Sequence, residues 1–177
     1  MKPLKTEVAF ATPWFEVLGK TMRPDEAPYY SLRLPDYACV VAVTEEQQVL
    51  LVRQYRPAIE VYSLELPSGL IDPGETPAEA ARRELLEETG YHVPSVEVLG
   101  AMYVDPGRLG NRMWNCVAMG ARRLPDRVPE TGIEVLAWPL EEVWRSVERG
   151  EFSLSLHVAN LLHAVLLGHL RLPGLPR

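Results

Sequence analysis

The sequence predicts an α/β fold, and three observations carry that reading. The run YACVVAVT at 37–44 has the β-branched, apolar composition of a buried strand. From Thr76 to Gly90 the chain carries both the start and the stop signals of a helix. Close to the C-terminus, Leu154, Val158, Leu161, Leu162, Val165 and Leu166 recur in helical rhythm. With 177 residues, 47% of them hydrophobic, the chain can bury one substantial core and carry an appendage.

Residues 1–36 read as short strands, EVAFA, WFEVLGKTM and YYSLRL, the last two separated by the turn-forming RPDEAP. This antiparallel β segment holds Trp14, Phe15, Tyr29 and Tyr30, too much aromatic surface for a free tail. It is either packed on its own domain or shared between subunits, and the second arrangement, a homodimer, is the expectation. A second unit, 37–177, continues through VLLVRQY and the strand IEVLAWP, then closes with helices at 139–148 and about 154–170. The last stretch includes Ser155, His157, Asn160, His163 and His169, so it reads as a helix packed on a sheet, with the histidines on its polar edge, and not as a membrane anchor.

The helix at 77–89 has the clearest local grammar. Thr76 caps the first turn, Glu79 bonds back as a capping box, Pro77 takes the first helical position, and Gly90 suits the left-handed residue that closes the helix. Ala78, Ala81 and Leu85 form its burying face. Between Gly69 and Tyr91 stand six carboxylates. Glu84, Glu87 and Glu88 share an arc of about 100° on the helix surface. Like charges so placed repel by roughly 0.2 to 0.5 kcal/mol per pair, so the pattern predicts a cation among them. Oxygen donors alone suit a hard ion such as Mg²⁺. Zinc is not indicated, because His92, His157, His163 and His169 do not cluster with Cys39 or Cys116.

Composition sets further bounds. A net charge of −6 argues against general nucleic-acid binding, which relies on basic surface. Two well-separated cysteines suit a reducing, cytoplasmic setting, and the N-terminus lacks the long apolar core of a signal peptide.

Gly69, five residues, Glu75, seven residues, Arg83-Glu84-Leu85, one residue, Glu87-Glu88, one residue and Gly90 together resemble the signature of the Nudix hydrolases, which cleave nucleoside diphosphates linked to another moiety. Tyr91 departs from the usual Ile, Leu or Val, a change expected to adjust packing only. The resemblance implies an α/β/α sandwich with a mixed sheet. It implies Mg²⁺, with Mn²⁺ as a substitute, held by Glu84 and Glu88, with Glu87 contributing and the Ser68 carbonyl as another ligand. Arg83 orients a neighbouring glutamate, for which Glu87 is the natural partner, and Glu75 braces the loop.

The flanks narrow the resemblance. VLLVRQYRPAIEVYSLELPSG is similar to the subgroup that hydrolyses ADP-ribose and related sugar nucleotides, with Ser68 in place of the usual Ala. There Arg56 matches an arginine on the diphosphate, a role suited to a planar guanidinium fork. Pro106, sixteen residues past Gly90 in VDPGRLGNRMW, matches the subgroup's proline loop. Gly110, Asn111 and Arg112 stand where many members have a glutamate, which leaves the sugar and nucleotide preference open. The resemblance to that subgroup implies a general base on a loop well after the helix, for which Glu130 in PETG is the candidate and Glu134 the runner-up. Trp14 is the first candidate to stack on a base. The readings that remain are a magnesium-dependent hydrolase of ADP-ribose or a similar sugar nucleotide, one acting on GDP-sugars or oxidised nucleoside diphosphates, and a silent domain that only binds a nucleotide or partner.

Overall fold

The computed structural model describes residues 1–172. Its N-terminal part is a three-stranded antiparallel sheet of β1 (Lys5–Ala11), β2 (Glu16–Thr21) and β3 (Tyr29–Arg33), in that order. The strands fall where the sequence placed them. All seven residues of β1 are exposed. Contact with the rest of the chain runs through β3, where Leu32 donates to the Arg108 carbonyl at 2.8 Å and pairs with Leu109.

The second sheet is mixed and eight-stranded. The apolar run becomes β4 (Tyr37–Thr44), flanked by β5 (Gln48–Arg56) and, in parallel, by β10 (Arg112–Arg123). β11 (Glu134–Pro139) pairs with β5, while β8 (Tyr91–His92) and β9 (Glu97–Tyr103) pair with β10. β4 and β5 register only beside their connecting turn, at Val43 and Val49. Beyond that point the two strands part. β6 (Val61–Glu65) then lies on β5, and β7 (Ser68–Leu70) on β4. The split leaves a cleft in the middle of the sheet.

Alternation along β4 builds two cores, because successive side chains point to opposite faces. Ala38, Val40 and Ala42 face α1 (Pro77–Thr89), where Ala80, Ala81 and Leu85 are buried. Cys39, Val41 and Val43 face the other layer, which holds α2 (Leu140–Glu148), α3 (Ser155–Leu166) and Phe152 between them. The result is the expected α/β/α sandwich. Small residues on both sides of the first interface let α1 lie close to the sheet. Three expectations need correction. Ala78 is only half-buried, and Ala80 takes its place. α3 stops at Leu166, short of the expected 170, and Gly168 follows in a left-handed conformation at φ 84°. His157 is 5% exposed, not at a polar edge.

Asp36, in the connection from β3 to β4, is anchored on β10. Its carboxylate accepts from the backbone and side chain of Arg112 and from the indole N–H of Trp114 at 2.8–3.1 Å. Burial pushes its pKa up, but the bonds from Trp114 and Arg112 outweigh it and hold the carboxyl below its usual range.

Candidate active site

α1 begins and ends as its sequence dictates. Thr76 and Glu79 form the reciprocal capping box, and Gly90 closes the helix at φ 74°. From this rigid element Arg83 reaches back over the loop. It forks onto Glu75 at 3.0 and 2.9 Å, meets Glu84 at 2.7 Å and Glu87 at 3.2 Å, and donates to the Leu70 carbonyl at 2.8 Å. Glu75, not Glu87, is thus the chief partner. The loop curls so that Asp72 N–H donates to Glu75, which presents that carboxylate as a fork, whereas Glu87 is largely in solvent.

Glu84 and Glu88 point inward. A Cβ on Gly69 would stand 2.1 Å from the Glu84 carboxylate, so glycine here makes the room that this carboxylate fills. Glu88 is 5% exposed and accepts the Ser68 N–H at 2.9 Å. Burial, reinforced by the neighbouring Glu84 and Glu65, pushes its pKa up to about 8. Burial also raises that of Glu84. Two inward carboxylates raised by desolvation and by neighbouring glutamates, with no lysine or histidine between them, fit a hard cation by donor chemistry and by charge. Among the described residues, no group of three or more His, Cys, Asp or Glu is already gathered as a metal set. The guanidinium of Arg83 engages Glu84 and Glu87 instead.

The cleft between β4 and β5 opens beside these carboxylates as a cavity of about 440 Å³, lined by Tyr37, Arg56, Glu65, Ser68, Gly69 and His157, among others. Arg56 does not stand free there. Its Nε and Nη2 fork onto Glu65 at 2.7 and 2.6 Å. Glu65 is 1% exposed, and although burial raises its pKa, bonds from Arg56 and Ser63 hold it below the ordinary value. The sequence reading missed Glu65. Its signal was a lone acidic residue inside the apolar stretch before LPSG, where only a partnered charge can be buried.

The remaining candidates are dispersed. Ser68 pairs with Cys39 on β4, and the contact it makes to Glu88 runs through its N–H. Glu130 is exposed, and its backbone N–H donates to the Glu87 carbonyl at 3.0 Å, which sets its loop beside the end of α1. Glu134 lies on β11 and pairs with Arg53 at 3.4 Å, in a different cavity with Tyr62 and Trp138. Pro106 lines a third cavity, with Lys20, Tyr29 and Arg108. Trp14 sits in the β1–β2 connection, 75% exposed. Within one chain, neither Pro106 nor Trp14 lines the cavity that holds Arg56.

The chain is similar to known proteins over most of its length. A family model described as the NUDIX domain matches residues 33–157. An ADP-ribose pyrophosphatase of Bacillus subtilis (strain 168) is 40% identical over 73 residues, 41% of this chain and 40% of that protein. An ADP-ribose pyrophosphatase of Mycobacterium tuberculosis (strain ATCC 25618 / H37Rv) is 34% identical over 135 residues, 73% of this chain and 65% of that protein. The crystal structure of an ADP compounds hydrolase superposes with a TM-score of 0.78 at 25% identity, over 96% of this chain and 98% of that one. The matches span 40%, 41% and 27% of the lengths of the first curated relatives.

Proposed function

The chain belongs to the Nudix family, and from that premise we propose that it hydrolyses the diphosphate bond of ADP-ribose or a related nucleoside diphosphate sugar, releasing a nucleoside monophosphate and a sugar phosphate. The observation that carries this reading is the adjacency of two inward carboxylates, Glu84 and Glu88, to a cavity that presents Arg56. Charge of both signs is thereby available to one ligand. The relatives named for ADP-ribose supply the substrate class.

In this reading Glu84 and Glu88, with Glu87 and Ser68 at the margin, hold a magnesium ion. When bound, the ion offsets charge on phosphate oxygens and acidifies water. Arg83 keeps Glu84 in place and Glu75 keeps Arg83 in place. Arg56, braced by Glu65, meets the diphosphate with the N–H groups that its partner leaves free. A water attacks phosphorus, the anhydride P–O bond breaks, and Glu130 accepts the proton from the exposed loop over the end of α1. Residues 1–36 act as the subunit contact of a homodimer, with Trp14 and Pro106 completing the substrate site across it, and residues from 37 onward form the hydrolase domain. Two buried cysteines without a disulfide suit the cytoplasm. No helix among the described residues is long and apolar enough to cross a membrane.

The test is a panel of ADP-ribose, GDP-mannose, UDP-glucose, NADH and oxidised nucleoside diphosphates with Mg²⁺, read as monophosphate release. ADP-ribose is expected to lead. Release from none of them refutes the reading. Glu130→Gln is expected to cut turnover by about 10²- to 10⁴-fold with magnesium binding intact.

A further inference from the structure

Two successive residues, Glu65 and Leu66, each fix a hydrogen-bond donor on the wall of the central cavity. The Glu65 carboxylate takes two of the five N–H groups of Arg56, which leaves three for a ligand. The Leu66 N–H donates to Nδ1 of His157 at 3.0 Å. A ring nitrogen that accepts a backbone N–H carries no hydrogen, so in the neutral imidazole the hydrogen sits on Nε2. The ring is neutral at pH 7, because burial pushes its pKa down to about 4 against the opposing pull of Glu65. Nε2 bonds to nothing among the described residues and is not sealed from solvent, and the ring lines the cavity beside Arg56, Ser68 and Gly69.

We propose that His157 is a substrate-binding residue, whose Nε2–H donates to a non-bridging oxygen of the diphosphate next to the free N–H groups of Arg56. A buried donor that neither titrates near neutrality nor rotates adds specificity without a second cation beside Glu65. It also ties the first turn of α3 to the corner at Leu66–Ser68, whose last N–H holds Glu88. Ligand recognition and the carboxylate site therefore share one rigid corner. The inference rests on the diphosphate-hydrolase reading for its substrate, but not for its test.

The first measurement uses the full chain labelled with ¹⁵N-histidine in the presence of Mg²⁺, with inorganic pyrophosphate as probe. The His157 resonances, identified by their loss in His157→Asn, are expected to show the Nε2–H tautomer at pH 7, and pyrophosphate is expected to shift Nε2. An Nδ1–H tautomer, or an Nε2 signal indifferent to saturating pyrophosphate, overturns the proposal. In the second measurement, His157→Asn retains an acceptor for the Leu66 N–H but lacks the distal donor. Its melting temperature and magnesium uptake are expected to stay near those of the parent, while its pyrophosphate affinity falls about 10-fold, KM rises by a similar factor and kcat changes little. Parental affinity and KM in His157→Asn overturn the proposal, and if that variant does not fold, the His157 signals are assigned by elimination from single substitutions of His92, His163 and His169, and their shift in the parent decides. Should the parent bind pyrophosphate through Nε2 yet hydrolyse no sugar nucleotide, the binding site stands and the hydrolase reading falls.

Discussion

The corner around α1 and the N-terminal sheet solve the problem of exposed functional groups in opposite ways. At the corner Arg83 binds four different residues, Glu88 takes a backbone N–H, and a missing Cβ at Gly69 is filled by the Glu84 carboxylate. On the N-terminal sheet, Val8, Phe10 and Trp14 stand 51%, 58% and 75% exposed, and nothing in the described chain covers them. One region is organised by charge to within an atom. The other leaves an apolar surface uncovered. Under the proposed function their sensitivities differ accordingly, the corner responding to single atoms and the sheet to protein concentration.

The sharpest break in that contrast is Glu88→Gln. Turnover of the best substrate is expected to fall by about 10²- to 10³-fold, and in chelator at pH 8 the variant is expected to melt above the parent, because it removes a buried charge that is held by a backbone N–H but by no ion pair. A merely structural Glu88 would lower both. Gly69→Ala comes next. The added Cβ displaces the Glu84 carboxylate, so magnesium affinity by calorimetry is expected to drop about 10-fold and stability by roughly 1 to 3 kcal/mol.

The pH dependence of the metal-free protein is smaller. Glu88 is raised, so its contribution to stability is complete below the ordinary glutamate range and is lost as pH climbs through about 8. His157 is depressed, so its contribution is complete above about 6.5 and is lost as pH falls toward 4. The two oppose each other in mild acid, and above about 6.5 the dependence rests on the raised carboxyls, Glu88 with Glu84 beside it. Asp36 and Glu65, held low, stay ionised throughout. In chelator the unfolding free energy is expected to decline over that window, at most by about 1.4 kcal/mol per pH unit for each carboxyl, and Mg²⁺ or Glu88→Gln to flatten the decline. Last, Val8→Asp with Phe10→Asp is expected to halve the particle from twice 19.9 kDa by light scattering, while shifting monomer stability by only about 0.5 kcal/mol. A parent already monomeric removes the surface argument.

What was legible in the sequence was what is decided locally. The bounds of α1, its capping box and its closing glycine depend on residues at most four apart. Glu84 and Glu88 followed from helical spacing and from the family signature. What was not legible depends on pairing across the chain. Nothing local says that β10 runs parallel to β4, or that β4 and β5 separate to admit β6 and β7, and the cavity exists only because they do. Glu65 as the partner of Arg56 follows from that separation, the two standing nine positions apart in a loop closed by a strand pair. His157 was misplaced for the same reason. Helical rhythm assigns a face, but only the position of Leu66 turns that face into the wall of a site.

The alanines under α1 carry a consequence for how such a domain varies over time. Ala80 and Ala81 share one buried cluster with Ala38, Val40 and Ala42 across the helix–sheet seam, so the height of the acidic side chains above the strands is set by small apolar side chains. A single bulkier residue there would act as a shim beneath one end of a beam, lifting Glu84 and Glu88 together without touching either. Drift at this seam therefore reaches the candidate site, although the alanines in it are chemically inert.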